Sequence, residues 1–419
     1  MEPISITSVK TTKSCQRGWL LFFCLITAGF THAADDTASV IKSLQAEIKA
    51  LSNRIKVLET DQAVSPRIAN QIRTQTLTPP TRPEAPQPVK NSWFDGIKLA
   101  GDFRYRHEAF DVENRRERHR QRMRARVALT GTVNEQLSVG FGLATGGGDP
   151  ISTNQTFDNA ASSKNVVIDI AYAKWAPRQG LDIVAGKFKN PIHRAGGNGL
   201  LWDGDLRPEG LGLSYQAGKF FTNAIASWVD ESSRDDDSFL VGGQIGFVAD
   251  AGEGGLKVGL GYFNYLDSRG EPAFYQGRAM GNRLNDLGEY IEGFELLEGF
   301  AEYNLDTQHG KFTLFADYVQ NLAADDFDTG WALGGKYSAS KWQFGYTYQA
   351  LEPDAVLGTF TDSDFIGGGT DGEGHIISSR YALTRQISLT GTLFLNDRHI
   401  DFGSEEQYKR LMLDISFKY

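Results

Sequence analysis

From Trp93 to the C-terminus, apolar and polar residues alternate with a period of two in one segment after another. Clear examples are Leu256 to Tyr262, Trp342 to Tyr348 and Leu411 to Tyr419. Because successive side chains of a strand point to opposite faces, each segment predicts a β-strand with one apolar and one wet face. Too few continuous apolar segments remain to cover so many apolar faces, whereas lipid would cover them all. The pattern predicts an all-β, transmembrane antiparallel barrel.

About sixteen candidate strands can be counted, joined by seven short and eight longer connections that alternate along the chain. Short turns at one end and longer loops at the other are typical of outer-membrane barrels, and an even strand number leaves both ends of the barrel on the periplasmic side. The chain also ends on an alternating strand with a terminal aromatic residue, Tyr419, which resembles the C-terminal signal for barrel insertion.

One strand has arginine at every second position: Arg118, Arg120, Arg122, Arg124 and Arg126. A period of two puts all five guanidinium groups on one face, and desolvating five like charges would be prohibitively costly. The charges are therefore expected to meet water. A solvated edge strand would satisfy this, but in a barrel of this size the wet lumen satisfies it better.

The N-terminal region predicts export. A basic start is followed by the apolar stretch Trp19 to Phe30 and a small-x-small site ending at Ala33, which is typical of a signal peptide over residues 1–33. The alternative, a signal anchor, is disfavoured because the stretch is too short to span a bilayer. Cys15 and Cys24 both fall in this segment, so thiol catalysis and cysteine-bound metals are excluded from the mature chain.

Residues 35–62 predict a coiled-coil helix. Their apolar residues follow a 3-4 spacing with Ile at a and Leu at d, namely Ile41, Leu44, Ile48, Leu51, Ile55 and Leu58. A single amphipathic helix packed on another element is the alternative. The Ile and Leu choice favours two strands, so this segment leaves the number of subunits open. A proline-rich linker, 63–92, separates it from the barrel, 93–419.

Composition excludes several functions. A net charge of −9 argues against nucleic acid as a partner. Neither HExxH, a P-loop nor GxSxG is present, so no catalytic residues, cofactor or metal ion are predicted. The acidic residues of the longer connections, including Asp362 and Asp364, do not have the spacing of a calcium loop, and we expect solvated external loops there.

Several sequence runs resemble the putative porin family of Gram-negative bacteria. They are GDFRYRHEAF, RHRQRMRARVALTG, GLATGGGDPISTNQTF, KNPIHRAGGNGLLWDGDLRPEGLGLSY and the terminal SFKY. The resemblance implies an outer-membrane diffusion channel for small hydrophilic solutes, in contact with outer-membrane lipid and lipopolysaccharide. Porin analogy also favours a homotrimer.

In general porins the third external loop folds into the lumen, and here the third long connection is 189–208. Its charged residues would complete a constriction, with Asp203 and Asp205 as the negative side of a transverse field that faces the arginines. A solvated surface loop is the alternative. The residues predicted to line the pore are Arg104, Arg106, Arg118, Arg120, Arg122, Arg124, Arg126, Arg194, Asp203, Asp205 and Arg207.

The leading hypothesis is a porin in the outer membrane, with its coiled coil in the periplasm. The alternative is a tether, in which the coiled coil links a membrane-anchored barrel to the periplasm or peptidoglycan. A hydrolase is third, because it would need a Ser/His pair that the sequence does not reveal.

Overall fold

The computed structural model describes residues 96–231 and 237–419. The predicted signal peptide, coiled coil and proline-rich linker lie outside these residues. The strands are β1 (Ile97–Val112), β2 (Arg118–Thr132), β3 (Leu137–Thr145), β4 (Gln155–Thr156), β5 (Val166–Arg178), β6 (Leu181–Lys187), β7 (Glu209–Ala217), β8 (Phe220–Asp230), β9 (Ser238–Ala251), β10 (Gly254–Leu266), β11 (Phe294–Thr307), β12 (Gly310–Asn321), β13 (Thr329–Ala339), β14 (Trp342–Leu351), β15 (Gly372–Ala382), β16 (Ile387–Arg398) and β17 (Glu406–Lys418). Short 3-10 turns in the loops span Asn159–Ala161, Ala195–Gly197, Gly358–Phe360 and Phe365–Gly367.

Sixteen of these strands form a closed antiparallel barrel, which confirms the predicted all-β barrel and its strand number. The seventeenth, β4, has two residues and pairs with β2 at Arg122 and Met123. Strand β3 pairs only with the later part of β2, so β4 continues the wall beside the earlier part.

The barrel closes where β1 pairs with β17. The N–H of Gly101 donates to the carbonyl of Tyr419 at 3.0 Å, and the N–H of Tyr419 donates back to Gly101 at 3.1 Å. A Cβ at position 101 would lie 2.4 Å from the Tyr419 ring, so glycine allows the terminal aromatic side chain to cover this seam.

The two faces of the wall follow the sequence alternation. Large apolar side chains point outward and are exposed, with Phe220 and Ile245 at 64 % and 63 %. Such a continuous apolar exterior is what a lipid-facing barrel requires. Arginines of β2 lie on the opposite face, because Arg124 pairs in register with the inward-facing Arg104 of β1.

Connections at the two ends of the barrel differ in length as predicted. Turns of two to four residues join the strands at one end, the turn end, and longer segments join them at the other, the loop end. The longer segments include the third long loop (188–208), the fifth (267–293) and the seventh (352–371). No helix of the described residues is long and apolar enough to cross a membrane.

Candidate functional site

The third long loop crosses the interior of the barrel. On one side, the amide of Asn198 donates to Asp317 of β12 at 2.7 Å, and the N–H of Gly196 donates to Glu302 of β11 at 2.8 Å. On the other side, Asp205 accepts hydrogen bonds from arginines of β2. Strands β2 and β12 lie on opposite sides of the closed ring, so the loop spans the lumen between them.

An apolar core fills one side of the interior. Trp202 of the third loop is 1 % exposed and packs against Phe263 of β10, with ring centroids 5.0 Å apart. Residues of the seventh loop, such as Val356 and Leu357, join the same buried cluster. Apolar side chains exclude water from this side. Polar space remains along the wall formed by β17, β1 and β2, and a further polar cavity lies beside β6, β7 and β8, lined by residues such as Asp182, Ser214 and Asn223.

The seventh long loop also folds inward, which corrects the expectation of a solvated external loop. The N–H of Asp362 donates to the carbonyl of Gly199 in the third loop at 3.2 Å, so the two loops contact each other. Asp364 forms ion pairs with Arg106 at 3.0 Å and with Arg410 at 2.8 Å. The apolar residues of this loop, such as Phe365 and Ile366, were the sequence signal for burial.

The inward faces of β17, β1 and β2 form a wall of arginines and carboxylates, here called the arginine wall. In its part nearest the turn end, two carboxylates hold Arg124 and Arg126. Asp102 pairs with them at 3.0 Å and 2.8 Å, and Asp205 of the third loop pairs with them at 3.0 Å and 2.9 Å. Arg207 extends the cluster, 3.3 Å from Asp169 and 3.7 Å from Asp205.

The middle of the arginine wall is built by β1 and β17. Arg106 makes a bidentate contact with Asp414, at 2.7 Å and 2.9 Å. Arg104 donates to the side-chain oxygen of Asn154 at 2.6 Å and lies 4.0 Å from Asp414. Its Nε is buried without a hydrogen-bond partner.

Nearest the loop end, the arginine wall is organised by Glu108, whose side chain is fully buried. It pairs with Arg120 and Arg410, and Arg122 approaches it at 3.9 Å. Arg118 forms no ion pair in the described structure, and its guanidinium lies 5.7 Å from the centre of the Phe110 ring.

Two predicted pore residues lie apart from these pairs. Arg194 donates to the carbonyls of Asn198 and Trp202, each at 3.1 Å, and so braces the fold of the third loop. Asp203 accepts hydrogen bonds from the N–H groups of Asp205 and Ser363, at 2.7 Å and 3.0 Å. The structure therefore brings Asp205 to the arginines and turns Asp203 toward the seventh loop.

These contacts change the physical basis of the arginine face. The sequence pattern predicted that water solvates this face, but carboxylates from five segments of the chain compensate most of its charge. Five contributing residues were missed by the sequence prediction: Asp102, Asp169, Asp364, Arg410 and Asp414. The inward parity of Asp102 on β1 was readable from the alternation. The partners on β17 and in the seventh loop could not be predicted from the alternation, because their contacts depend on ring closure.

The two aspartates of the third loop differ in protonation. Burial, reinforced by the nearby Asp362, raises the pKa of Asp203 to about 7. Burial also acts on Asp205, but Arg124 and Arg126 outweigh it and lower the pKa of that carboxyl. In the seventh loop, burial and the neighbouring Asp364 raise the pKa of Asp362 to about 6. At neutral pH Asp205 is ionised, whereas Asp203 titrates.

Two cavities lie along the arginine wall, one toward each end of the barrel. A cavity of about 370 Å³ at the loop end is lined by Arg118, Arg120 and Arg122, among others. A cavity of about 490 Å³ toward the turn end is lined by Asp102, Arg126, Asp205 and Lys418, among others. Arg124 and the middle of the arginine wall line neither cavity, which places the ion-paired layer between them.

Solved structures of other proteins are similar to this chain over most of its described length. OprB of Pseudomonas putida, in a high-pH structure, is 11 % identical with a TM-score of 0.55, over 78 % of this chain and 94 % of that chain. This likeness concerns the fold alone. A mutant Rhodopseudomonas blastica porin is 11 % identical with a TM-score of 0.49, over 77 % of this chain and 100 % of that chain. OmpF of Salmonella typhi, in complex with daunomycin, is 9 % identical with a TM-score of 0.49, over 78 % of this chain and 98 % of that chain.

No curated protein matches the chain significantly. The family model described as putative porin matches residues 110–285 and 327–419, which is more than half of the sequence. These matched ranges include the arginine strand, the third long loop, the seventh long loop and the closing strand β17. The chain therefore belongs to the putative porin family.

Proposed function

We propose that this protein is an outer-membrane porin, a water-filled channel through which small hydrophilic solutes and ions diffuse passively. The observation that carries the proposal is the pair of cavities along the arginine wall inside a barrel with an apolar exterior. Sixteen strands enclose a lumen wider than their own side chains can fill, and here the loops narrow it from within.

The constriction of this channel is the ion-paired layer between the two cavities. Arg124 lies within this layer. Arg126 and Asp205 of the third long loop form its border with the turn-end cavity, and Asp205 pairs with both arginines. Arginine and carboxylate fixed side by side give a strong local field that a hydrated ion must cross. The proposed role is selection and passage, without a chemical step or a cofactor.

The protein is expected to act in the outer membrane, with lipid and lipopolysaccharide against its apolar exterior and with copies of itself as partners. Homotrimers are favoured by porin analogy alone. The tether hypothesis rests on the heptad seam of residues 41–58 and is compatible with a channel, since the two functions would use different segments.

Conductance of the purified full-length protein in planar lipid bilayers tests the proposal. We expect stepwise ohmic currents; their absence after verified insertion would refute a porin and leave the tether. To show that the current passes through the lumen, Ala128→Cys is compared with Leu129→Cys. Residue 128 lines the larger cavity, whereas Leu129 points outward and is 45 % exposed. A charged thiol reagent should reduce the current of the Ala128→Cys variant and leave that of the Leu129→Cys variant unchanged, because the described barrel has no cysteine of its own.

A further inference from the structure

The 370 Å³ cavity at the loop end has an unusual charge composition. Eight arginines line it, and Asp149 is the one carboxylate among its lining residues. Glu113 and Glu117 belong to the neighbouring loop between β1 and β2 but do not line this cavity. The arginines are Arg115, Arg116, Arg118, Arg120, Arg122, Arg278, Arg398 and Arg410.

Resting on the proposed porin function, we propose that this cavity is a binding site for small multivalent oxyanions, such as inorganic phosphate or a tricarboxylate, that captures them before they cross the constriction. Binding at this site would make the channel selective for such anions.

Some of these arginines are already neutralised. Arg120 and Arg410 share Glu108 beneath the cavity. Arg115 and Arg398 share Glu406 at the rim, at 2.9 Å and 2.8 Å. A ligand would gain little from groups whose charge is compensated at contact distance.

Three arginines remain without an ion pair in the described structure: Arg116, Arg118 and Arg278. All three are exposed and line the cavity: Arg116 lies just before β2, Arg118 is the first residue of β2, and Arg278 lies in the fifth long loop. Guanidinium groups that carry no carboxylate partner are free to make bidentate contacts with an oxyanion. A single unpaired arginine is common on a protein surface. Three unpaired arginines that line one cavity with a single carboxylate create a positive potential inside that cavity.

The floor of the cavity includes Arg122, whose guanidinium group is only weakly held. Its contacts with Ser152 and Asn154 are 3.5 Å and 3.4 Å long, and the carboxylate of Glu108 lies 3.9 Å away. Because these contacts are long, Arg122 keeps donors that an oxyanion in the cavity can engage.

Size and position narrow the class of ligand. A volume of about 370 Å³ admits an anion of a few to about a dozen non-hydrogen atoms with some water. Arg118, Arg120 and Arg122 face the lumen, so the site meets dissolved solutes and not the lipid-facing surface. Multivalent anions are favoured over chloride, because several forked donors can engage a multivalent oxyanion at once.

The test measures chloride current through the full-length protein in planar bilayers while inorganic phosphate or citrate is added on the side of the loop end. We expect each to reduce the chloride current in a saturable way. The mouth variant combines Arg116→Gln, Arg118→Gln and Arg278→Gln, and should raise the half-blocking concentration at least about tenfold.

A matched control removes three positive charges at the turn end, with Arg178→Gln, Lys341→Gln and Arg385→Gln, and should keep the half-blocking concentration of the wild type. The same measurement in bilayers with and without lipopolysaccharide tests whether the ligand is a lipid phosphate or a dissolved anion. For a dissolved anion, the half-blocking concentration should be the same in both bilayers. A channel that conducts but is not blocked, or is blocked equally after the mouth substitutions, would overturn this site and leave the porin intact. A protein that never conducts would instead refute the porin itself.

Discussion

Replacing Asp205 with Asn should make the channel markedly more selective for anions. Asp205 accepts hydrogen bonds from Arg124 and Arg126 at 3.0 Å and 2.9 Å, and it lies 3.7 Å from Arg207. With Asp102 and Asp169, it balances these three arginines one for one. Asparagine keeps the shape of the side chain and removes one negative charge, so the constriction gains one uncompensated positive charge.

The size of the effect follows from Coulomb's law. A permeant ion about 5 Å from one unit charge gains or loses about 0.8 kcal/mol in a water-like dielectric, and about 3 kcal/mol at an effective dielectric constant of 20. At the lower figure, an anion and a cation differ by about 1.7 kcal/mol. Screening over a Debye length of about 10 Å at 0.1 M salt reduces this difference to about 1 kcal/mol. The anion-to-cation permeability ratio should therefore rise about fivefold or more.

The reversal potential under a potassium chloride gradient measures this ratio. Asp250→Asn is the matched control, because it removes the same charge from a turn-end side chain that is 93 % exposed. Heat-modifiable migration on gels checks the fold, and Asn198 and Gly196 should still hold the third loop in place. An unchanged reversal potential in correctly inserted Asp205→Asn protein would refute the assignment of Asp205 to the constriction.

Three further predictions concern the loops, the wall and the N-terminal segment. The raised pKa values of Asp203, about 7, and Asp362, about 6, mean that the folded protein binds these protons more tightly than the unfolded chain. Docking of the third and seventh loops is therefore strongest at low pH and weakens as pH rises toward 7. The conductance of the wild type should increase over this range, and that of the Asp203→Asn variant should increase less. Identical pH profiles of the two proteins would contradict this prediction. Glu108→Gln removes the counter-charge of buried arginines and should lower the free energy of unfolding by about 3 kcal/mol, measured by denaturant titration in vesicles. The control, Glu253→Gln in an exposed turn, should change this free energy by less than about 0.5 kcal/mol. Equal stabilities of the two variants would be the contrary result. A chain starting at Trp93 should still conduct but show weaker oligomers on cross-linking, because residues 41–58 are predicted to associate as a coiled coil; loss of conductance despite insertion would count against this.

The strand count, the alternation of turns and loops, and the parity of the arginines could all be predicted from the sequence. Each is a local property, since a period of two fixes which side chains share a face without reference to distant residues. Arg118 to Arg126 therefore had to lie on the face opposite Val127 and Leu129. The length of the third long loop and its charges also indicated a role inside the barrel.

Only the tertiary structure decided what the arginines meet. Arg106 and Asp414 are 308 residues apart in sequence and become neighbours because β1 pairs with β17 in one register. Asp364 reaches the same cluster because the apolar residues of the seventh loop bury themselves against the barrel wall. Ring closure and loop packing are non-local, so the alternating pattern predicted a wet, positively charged face. The structure instead shows a largely compensated arginine wall, with free arginines at the loop-end cavity.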